Sequence, residues 1–190
     1  QFTNQDPHGF YDCFDFWDAH RGIAIGDAVD GKLAVILATD GGARWDRVAP
    51  ESLPAAQQGE GSFAASGLCV ETLPGGHAWI IMSNPQRGRI LHTPNYGRSW
   101  VMDTLPITTR EGMGPQGVSF RDARNGIVLG GGASSQSADV LTAITNDGGE
   151  TWLPRNRMPM RSGAWGGVYI PRSNPATVVA VGPNGAAYSR

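Results

Sequence analysis

The sequence predicts an all-β chain, a β-propeller of four-stranded antiparallel blades that amounts to about three and a half blades of a larger ring. Three observations carry that reading. The first is a recurring turn. Thr145-Asn146-Asp147-Gly148-Gly149-Glu150-Thr151-Trp152 shares its layout with Ala38-Thr39-Asp40-Gly41-Gly42-Ala43-Arg44-Trp45 and Thr93-Pro94-Asn95-Tyr96-Gly97-Arg98-Ser99-Trp100. Trp45, Trp100 and Trp152 stand 55 and 52 residues apart. The second is punctuation: 27 glycines and 13 prolines among 190 residues fall between short apolar runs, as turns between strands do. The third is the lack of any helical period of useful length.

Each residue type in the turn has a physical task. Asp147 can accept backbone N–H bonds from two or three residues on. Gly148 and Gly149 supply the positive φ of a hairpin connection. Thr145 and Thr151 suit strand ends, and Trp152 offers apolar area to anchor the hairpin. The same tasks fall to Asp40, Gly42 and Trp45, and to Asn95, Gly97 and Trp100. With Asp147, Gly149 and Trp152 these nine residues read as structural clasps.

Residues 1–8 read as the end of a preceding blade, with a strand in 1–7. The first whole blade covers 9–54. Its strands are Phe10–Asp18, where Phe14 and Phe16 alternate with Asp15, then Ile23–Asp27, Leu33–Thr39 and Trp45–Val48. Turns fall at His20-Arg21-Gly22 and Asp30-Gly31. The second blade, 61–105, has Ser66–Thr72, His77–Ser83, Arg89–Thr93 and Trp100–Asp103. The third, 115–158, has Gly117–Asp122, Ile127–Gly130, a flexible loop over 130–137, Asp139–Thr145 and Trp152–Pro154. The fourth, 162–190, is incomplete: Ala164–Tyr169, Thr177–Gly182 and Gly185–Ser189. Ser189 stands where Thr93 and Thr145 stand. Sheets this small cannot bury both faces alone. Phe14, Phe16, Val118, Phe120, Trp45, Trp100 and Trp152 are expected to fill the spaces between blades. An open arc exposes strand edges and apolar faces, so the remaining blades of a longer chain, or another copy, are expected partners.

A net charge of -2 without Lys/Arg runs argues against nucleic acid or an anionic membrane as partner. The longest aliphatic run, Leu33–Ala38, is too short to cross a bilayer, so no membrane insertion is expected. No leader is visible at Gln1; a mature secreted product, an excised piece and a cytoplasmic chain all fit. Cys13 and Cys69 fit either two small buried hydrophobes or one disulfide in an oxidising compartment. His8, His20, His77 and His92 are scattered without ligand spacing, so neither metal nor cofactor is expected. Gly130-Gly131-Gly132 lacks the Lys-Ser/Thr of a phosphate loop, and no Gly-x-Ser-x-Gly elbow exists. No catalytic residue is assigned.

The turn pattern S/T-x-D-x-G-x-S/T-W resembles the Asp-box, or bacterial neuraminidase repeat. Combined with Phe16-Trp17-Asp18 before Gly22-Ile23 and Phe120-Arg121-Asp122 before Gly126-Ile127, it is similar to photosystem II stability/assembly factor-like propellers and sialidase-like bacterial propellers. That resemblance implies Asp-boxes at the blade periphery, an extracytoplasmic location, and a scaffold presenting a protein- or glycan-binding surface. Function on such scaffolds is borne by loops. The binding candidates are therefore Tyr11, Asp12, Asp15, Trp17, Asp18 and Arg121, on the channel face formed by first strands and inter-blade loops. The alternative it implies is a carbohydrate-active hydrolase or lyase. Its candidates are Tyr11, Asp12, Asp15 and Asp18 with Arg21, Arg87, Arg89 and Arg121, although the Phe-Arg-Ile-Pro signature of sialidases is missing. Asp18 and Asp122, at equivalent places in two blades, read equally well as turn caps. A self-associating half-ring is a further alternative.

Overall fold

The computed structural model describes residues 3–4, 7–132, 139, 141–155, 160 and 163–189. The first sheet holds β1 (Tyr11–Phe16), β2 (Gly22–Val29), β3 (Lys32–Ala38) and β4 (Asp46–Arg47). The second holds β5 (Val70–Leu73), β6 (His77–Asn84), β7 (Arg87–Thr93) and β8 (Val101–Leu105). The third holds β9 (Gly114–Phe120), β10 (Gly126–Gly131), β11 (Thr142–Thr145) and β12 (Leu153–Arg155). The fourth holds β13 (Gly166–Tyr169), β14 (Val178–Gly182) and β15 (Gly185–Ser189). Every sheet is an antiparallel meander with its strands in chain order. The leading strands β1, β5, β9 and β13 pack against one another in succession. The architecture is a partial β-propeller.

Burial explains why the second strands are apolar without interruption. Ala78 to Met82 of β6 are all buried, because the second sheet is covered on both faces by its neighbours, and Ile23, Ala24 and Ile25 of β2 are buried as well. On β14, by contrast, Val178 and Ala180 are buried while Val179 and Val181 are not. One face of that sheet is uncovered.

One joint is repeated between sheets. Phe16, Phe120 and Tyr169, which end the pairing of their leading strands, and Thr72, one pair before the end of its own, occupy equivalent registers opposite Gly22, Gly126, Val178 and Ala78. In the first three sheets the residue before this position reaches forward to the next sheet. Asp15 accepts the N–H of Thr72 at 2.8 Å, Glu71 accepts the N–H of Phe120 at 2.5 Å, and Ser119 Oγ accepts the N–H of Tyr169 at 3.1 Å. Three side-chain oxygens thus satisfy three backbone donors that would otherwise be lost between sheets.

Glu71 makes its joint sensitive to pH. Burial pushes its pKa from 4.5 up to about 8; the N–H of Phe120 opposes this, the charge of Asp15 adds to it, and Ser119 opposes it. The folded state therefore holds a proton that the unfolded chain releases, so stability is complete below pH 4.5 and falls as pH rises through about 8. Glu71→Gln keeps an oxygen for Phe120 and removes the charge. At alkaline pH it is expected to be more stable than the parent, and near-equal in acid, in paired urea titrations.

Aromatic packing fills the same junctions. Phe120 stacks on Trp79 at 3.6 Å and meets Trp152 edge-on at 6.0 Å. Phe16 meets Trp45 in the same way at 5.7 Å. A Cβ at Gly126 would lie 2.5 Å from the Phe120 ring, so the ring takes the space that a side chain there would need. Cys13 on β1 and Cys69 just before β5, three residues before Phe16 and Thr72 respectively, form a disulfide with a Cα–Cα separation of 5.8 Å.

The recurring turns are held by side chains. Asp40, Asn95 and Asp147 accept the N–H of Arg44, Ser99 and Thr151. Each reaches four residues on, and Asn95 also accepts from Arg98, three residues on, as expected. Gly42, Gly97 and Gly149 all have positive φ. Tyr96, with φ of 59°, stands where the other turns have glycine.

Several expectations need correction. Phe14 does not fill a space between sheets: it is 67 % exposed, because its register-mate Val118 is covered by the second sheet, whereas no sheet among the described residues lies against the leading face of the first. Trp45 and Trp100 are only half-buried, unlike Trp152. The second sheet starts at Val70 and not Ser66, because Ala64–Ser66 forms a 3-10 turn ended by Gly67 with φ of 67°. β9 begins earlier than expected, at Gly114, and β11 later, at Thr142. Most of the strand expected in 1–7 and of the loop expected over 130–137 lies outside the described residues, as do 156–159, 161–162 and 190 of the blade ends.

Candidate functional site

The meander gives the arc two ends. One carries the β1–β2 and β3–β4 turns. The other carries the hairpins between second and third strands and the long connections from one sheet to the next. The six binding candidates do not gather at either end. Tyr11 and Asp12 open β1 at the connection end, whereas Trp17, Asp18 and Arg121 follow β1 and β9 at the turn end. Asp15 lies between them and is engaged in the first joint.

At the turn end the side chains serve local structure. Asp18 accepts the N–H groups of His20 and Arg21 and pairs with the Arg21 guanidinium at 2.8 Å. Asp122 does the same for Arg124 and Asn125. Those backbone bonds come first in holding Asp18 below the usual carboxylate range. Trp17 donates its indole N–H to the carbonyl of His77 at 2.6 Å and packs edge-on against Tyr96 at 5.3 Å. Arg21 lies 3.8 Å over the same Tyr96 ring. Arg121 contacts Asp122 at 3.2 Å beside a hollow of about 250 Å³ shared with Tyr169 and Arg172.

The connection end is different. A cleft of about 400 Å³ lies between the connections of the first three sheets, lined among others by Asp27, Glu60, Phe63, Asn84, Arg110 and Glu111. Its walls are pinned from behind. Glu60 and Arg89 form a buried ion pair, with Arg89 Nε donating to Glu60 Oε1 at 2.6 Å, and the same guanidinium donates to the carbonyl of Ala55 at 3.1 Å. Truncating either partner would leave an uncompensated buried charge. Asn84 holds the β6–β7 hairpin by accepting from Gln86 and Arg87 and donating to Gln57. Arg110 pairs with Asp139 at 2.6 Å. Asp12 faces Asp27 here. Burial, then the Asp27 charge, pushes the Asp12 carboxyl up to about 7 against the pull of the Ser62 N–H, and burial raises Asp27 as well.

The arginines of the hydrolase alternative do not converge. Arg89 is buried against Glu60, Arg21 lies on Tyr96, Arg121 sits beside Asp122, and Arg87 is exposed on the β6–β7 hairpin. Sequence reasoning missed Asp27, Glu60 and Glu111. Asp27 follows the Gly26 of a recognised strand, and a signal was there to be weighed. Glu60 and Glu111 lie in connections whose composition says only that they are polar.

No protein-family model matches the chain, and no curated protein does. Solved structures do. YCF48 bound to D1 peptide is 18 % identical, covering 92 % of this chain and 48 % of that one, with a TM-score of 0.55. YCF48 from Cyanidioschyzon merolae is 16 % identical, covering 92 % of this chain and 51 % of that one, with a TM-score of 0.51. This chain therefore spans about half the length of both. At these identities the likeness establishes the fold: the chain is similar to the YCF48 propellers.

Proposed function

We propose that the chain is a non-catalytic propeller scaffold that binds an extended segment of a protein partner in the cleft at the connection end. The cleft carries the reading. Charged groups of both signs, an aromatic ring and loop backbone meet there on pinned walls, and loops on a rigid scaffold are where binding usually resides. The solved YCF48 structure with a D1 peptide supports a peptide as the class of ligand. The D1 segment itself is not carried over to this chain.

The carbohydrate-active alternative is less well supported. Two carboxyls that flank a glycosidic bond need at least ~5 Å between them. Asp12 and Asp27 are close enough to hydrogen-bond directly, which leaves no room for a sugar between them. The Cys13–Cys69 bridge supports residence in an oxidising, extracytoplasmic compartment.

A phage-displayed library of random peptides, panned against the chain and followed by NMR titration of the selected peptide, tests this reading. Shifts are expected in Gly59 to Phe63, Asn84 and Glu111. Reversing the charge with Glu111→Lys is expected to change affinity at least about tenfold, or 1.4 kcal/mol. No enriched peptide, or shifts confined to Trp17 and Arg121, would overturn it.

A further inference from the structure

The uncovered face of the fourth sheet has a particular shape. On the trailing side, Val168, Ile170, Val181 and Tyr188 are exposed. Val179 and Tyr188 pair directly across β14 and β15. With Ile170 and Thr177 they line a hollow of about 360 Å³.

Register identifies what such a hollow receives. Val179 and Tyr188 stand where Trp79 and His92 stand in the second sheet and where Ile127 and Ile144 stand in the third. Trp79 and His92 stack on each other at 4.8 Å, and Trp79 receives the ring of Phe120 from the next sheet. Ile127 and Ile144 belong to the cluster that receives Tyr169 from the next sheet. The hollow on the fourth sheet is thus built to receive an aromatic residue from the last register of a leading strand.

The chain presents such a residue at its opposite face. Phe16 ends β1 in the register of Phe120 and Tyr169. It already has the edge-on tryptophan that Phe120 has, at 80° here and 89° there. Phe14, two residues before it on the same face, is 67 % exposed. The leading face is therefore arranged like an internal junction that lacks its preceding sheet. Because both surfaces lie on one chain and are complementary, the contact between copies would be head-to-tail, of the kind that closes a ring when the rotation permits. The chain covers about half of the propellers it matches, so two copies would supply the sheets of one ring within the usual range of about 4–8 blades.

We propose that the leading face of the first sheet docks onto the trailing face of the fourth sheet of a second copy, with Phe16 of one entering the hollow between Val179 and Tyr188 of the other. Sedimentation equilibrium of the 190-residue chain is expected to give twice the mass of one chain. Phe14→Asp and Tyr188→Asp place a charge on one face each, at positions exposed in the single chain, so both variants are expected to keep the circular dichroism of the parent and to sediment as single chains. Mixing the two variants leaves one pair of unmodified faces and is expected to restore the doubled mass. Three results would overturn the proposal: a parent that sediments as a single chain at high micromolar concentration, variants that keep the doubled mass, or a mixture that stays monomeric. The first of these would point to further sheets of a longer parent as the natural cover.

Discussion

Trp79→Ala is expected to cost about 4 kcal/mol, near the upper end for a buried aromatic, and to lower the urea midpoint by a large share of the total. Trp79 has no solvent exposure. One face of its ring lies on Phe120 of the third sheet, and the rings of His92 and His77 lie parallel to it at 4.8 and 5.4 Å. Its indole N–H donates to the carbonyl of Gly148 at 2.8 Å, inside the clasp turn of the third sheet. Alanine removes the stack and leaves that carbonyl without its donor, so a cavity term and a hydrogen-bond term add. Trp79→Phe separates them. It keeps most of the stack and loses the N–H, for an expected cost of about 1–2 kcal/mol. If both variants unfolded at the parent's urea concentration, the second and third sheets could not be joined in the way described.

Loss of the disulfide is expected to be comparable in size. Cys13 and Cys69 are 56 residues apart in sequence. The loop-closure entropy removed from the unfolded chain corresponds to about 4 kcal/mol for a loop of that length. Both residues are buried, so paired alanine substitutions avoid a stranded hydroxyl. The Cys13→Ala/Cys69→Ala chain, and the parent held in reductant, should shift together in denaturant titrations. A parent whose midpoint ignores reductant would show that the bridge does not form. Domains of this size have only about 5–15 kcal/mol in total, so either lesion removes a substantial part of it.

The fold was legible where residue chemistry is local. The glycines and acceptor side chains of the three clasp turns act within a few residues of themselves, and the alternation of Phe14, Asp15 and Phe16 gives β1 directly. What spacing could not show is what lies across a junction. Asp15 looks like an exposed strand carboxylate until the second sheet brings the N–H of Thr72 to it. Glu71 drew no notice in the sequence, yet it makes the equivalent bond one sheet later. Ser119 and Glu71 share no residue type with Asp15, so the repeated joint is a repeat of position and not of letter.

The candidate site was legible only in outline. The expectation that inter-sheet loops would frame it led to Tyr11 and Asp12, which lie at the end where the cleft opens. Trp17, Asp18 and Arg121 are candidates by the same preference for loop-borne function. Their hydrogen bonds go instead to the turns and neighbouring sheets. Glu60 could not be found, because nothing near it in sequence reveals that Arg89 will be its partner.

The whole arrangement rests on one repeated joint between successive sheets, and amide hydrogen exchange measures it most directly. The N–H groups of Thr72, Phe120 and Tyr169 should exchange as slowly as those within the sheets. Asp15→Ala, Glu71→Ala and Ser119→Ala should each speed exchange most strongly at the one amide it serves, on the following sheet. Exchange at these three amides as fast as in the surface turns, or no change when their acceptors are removed, would contradict it.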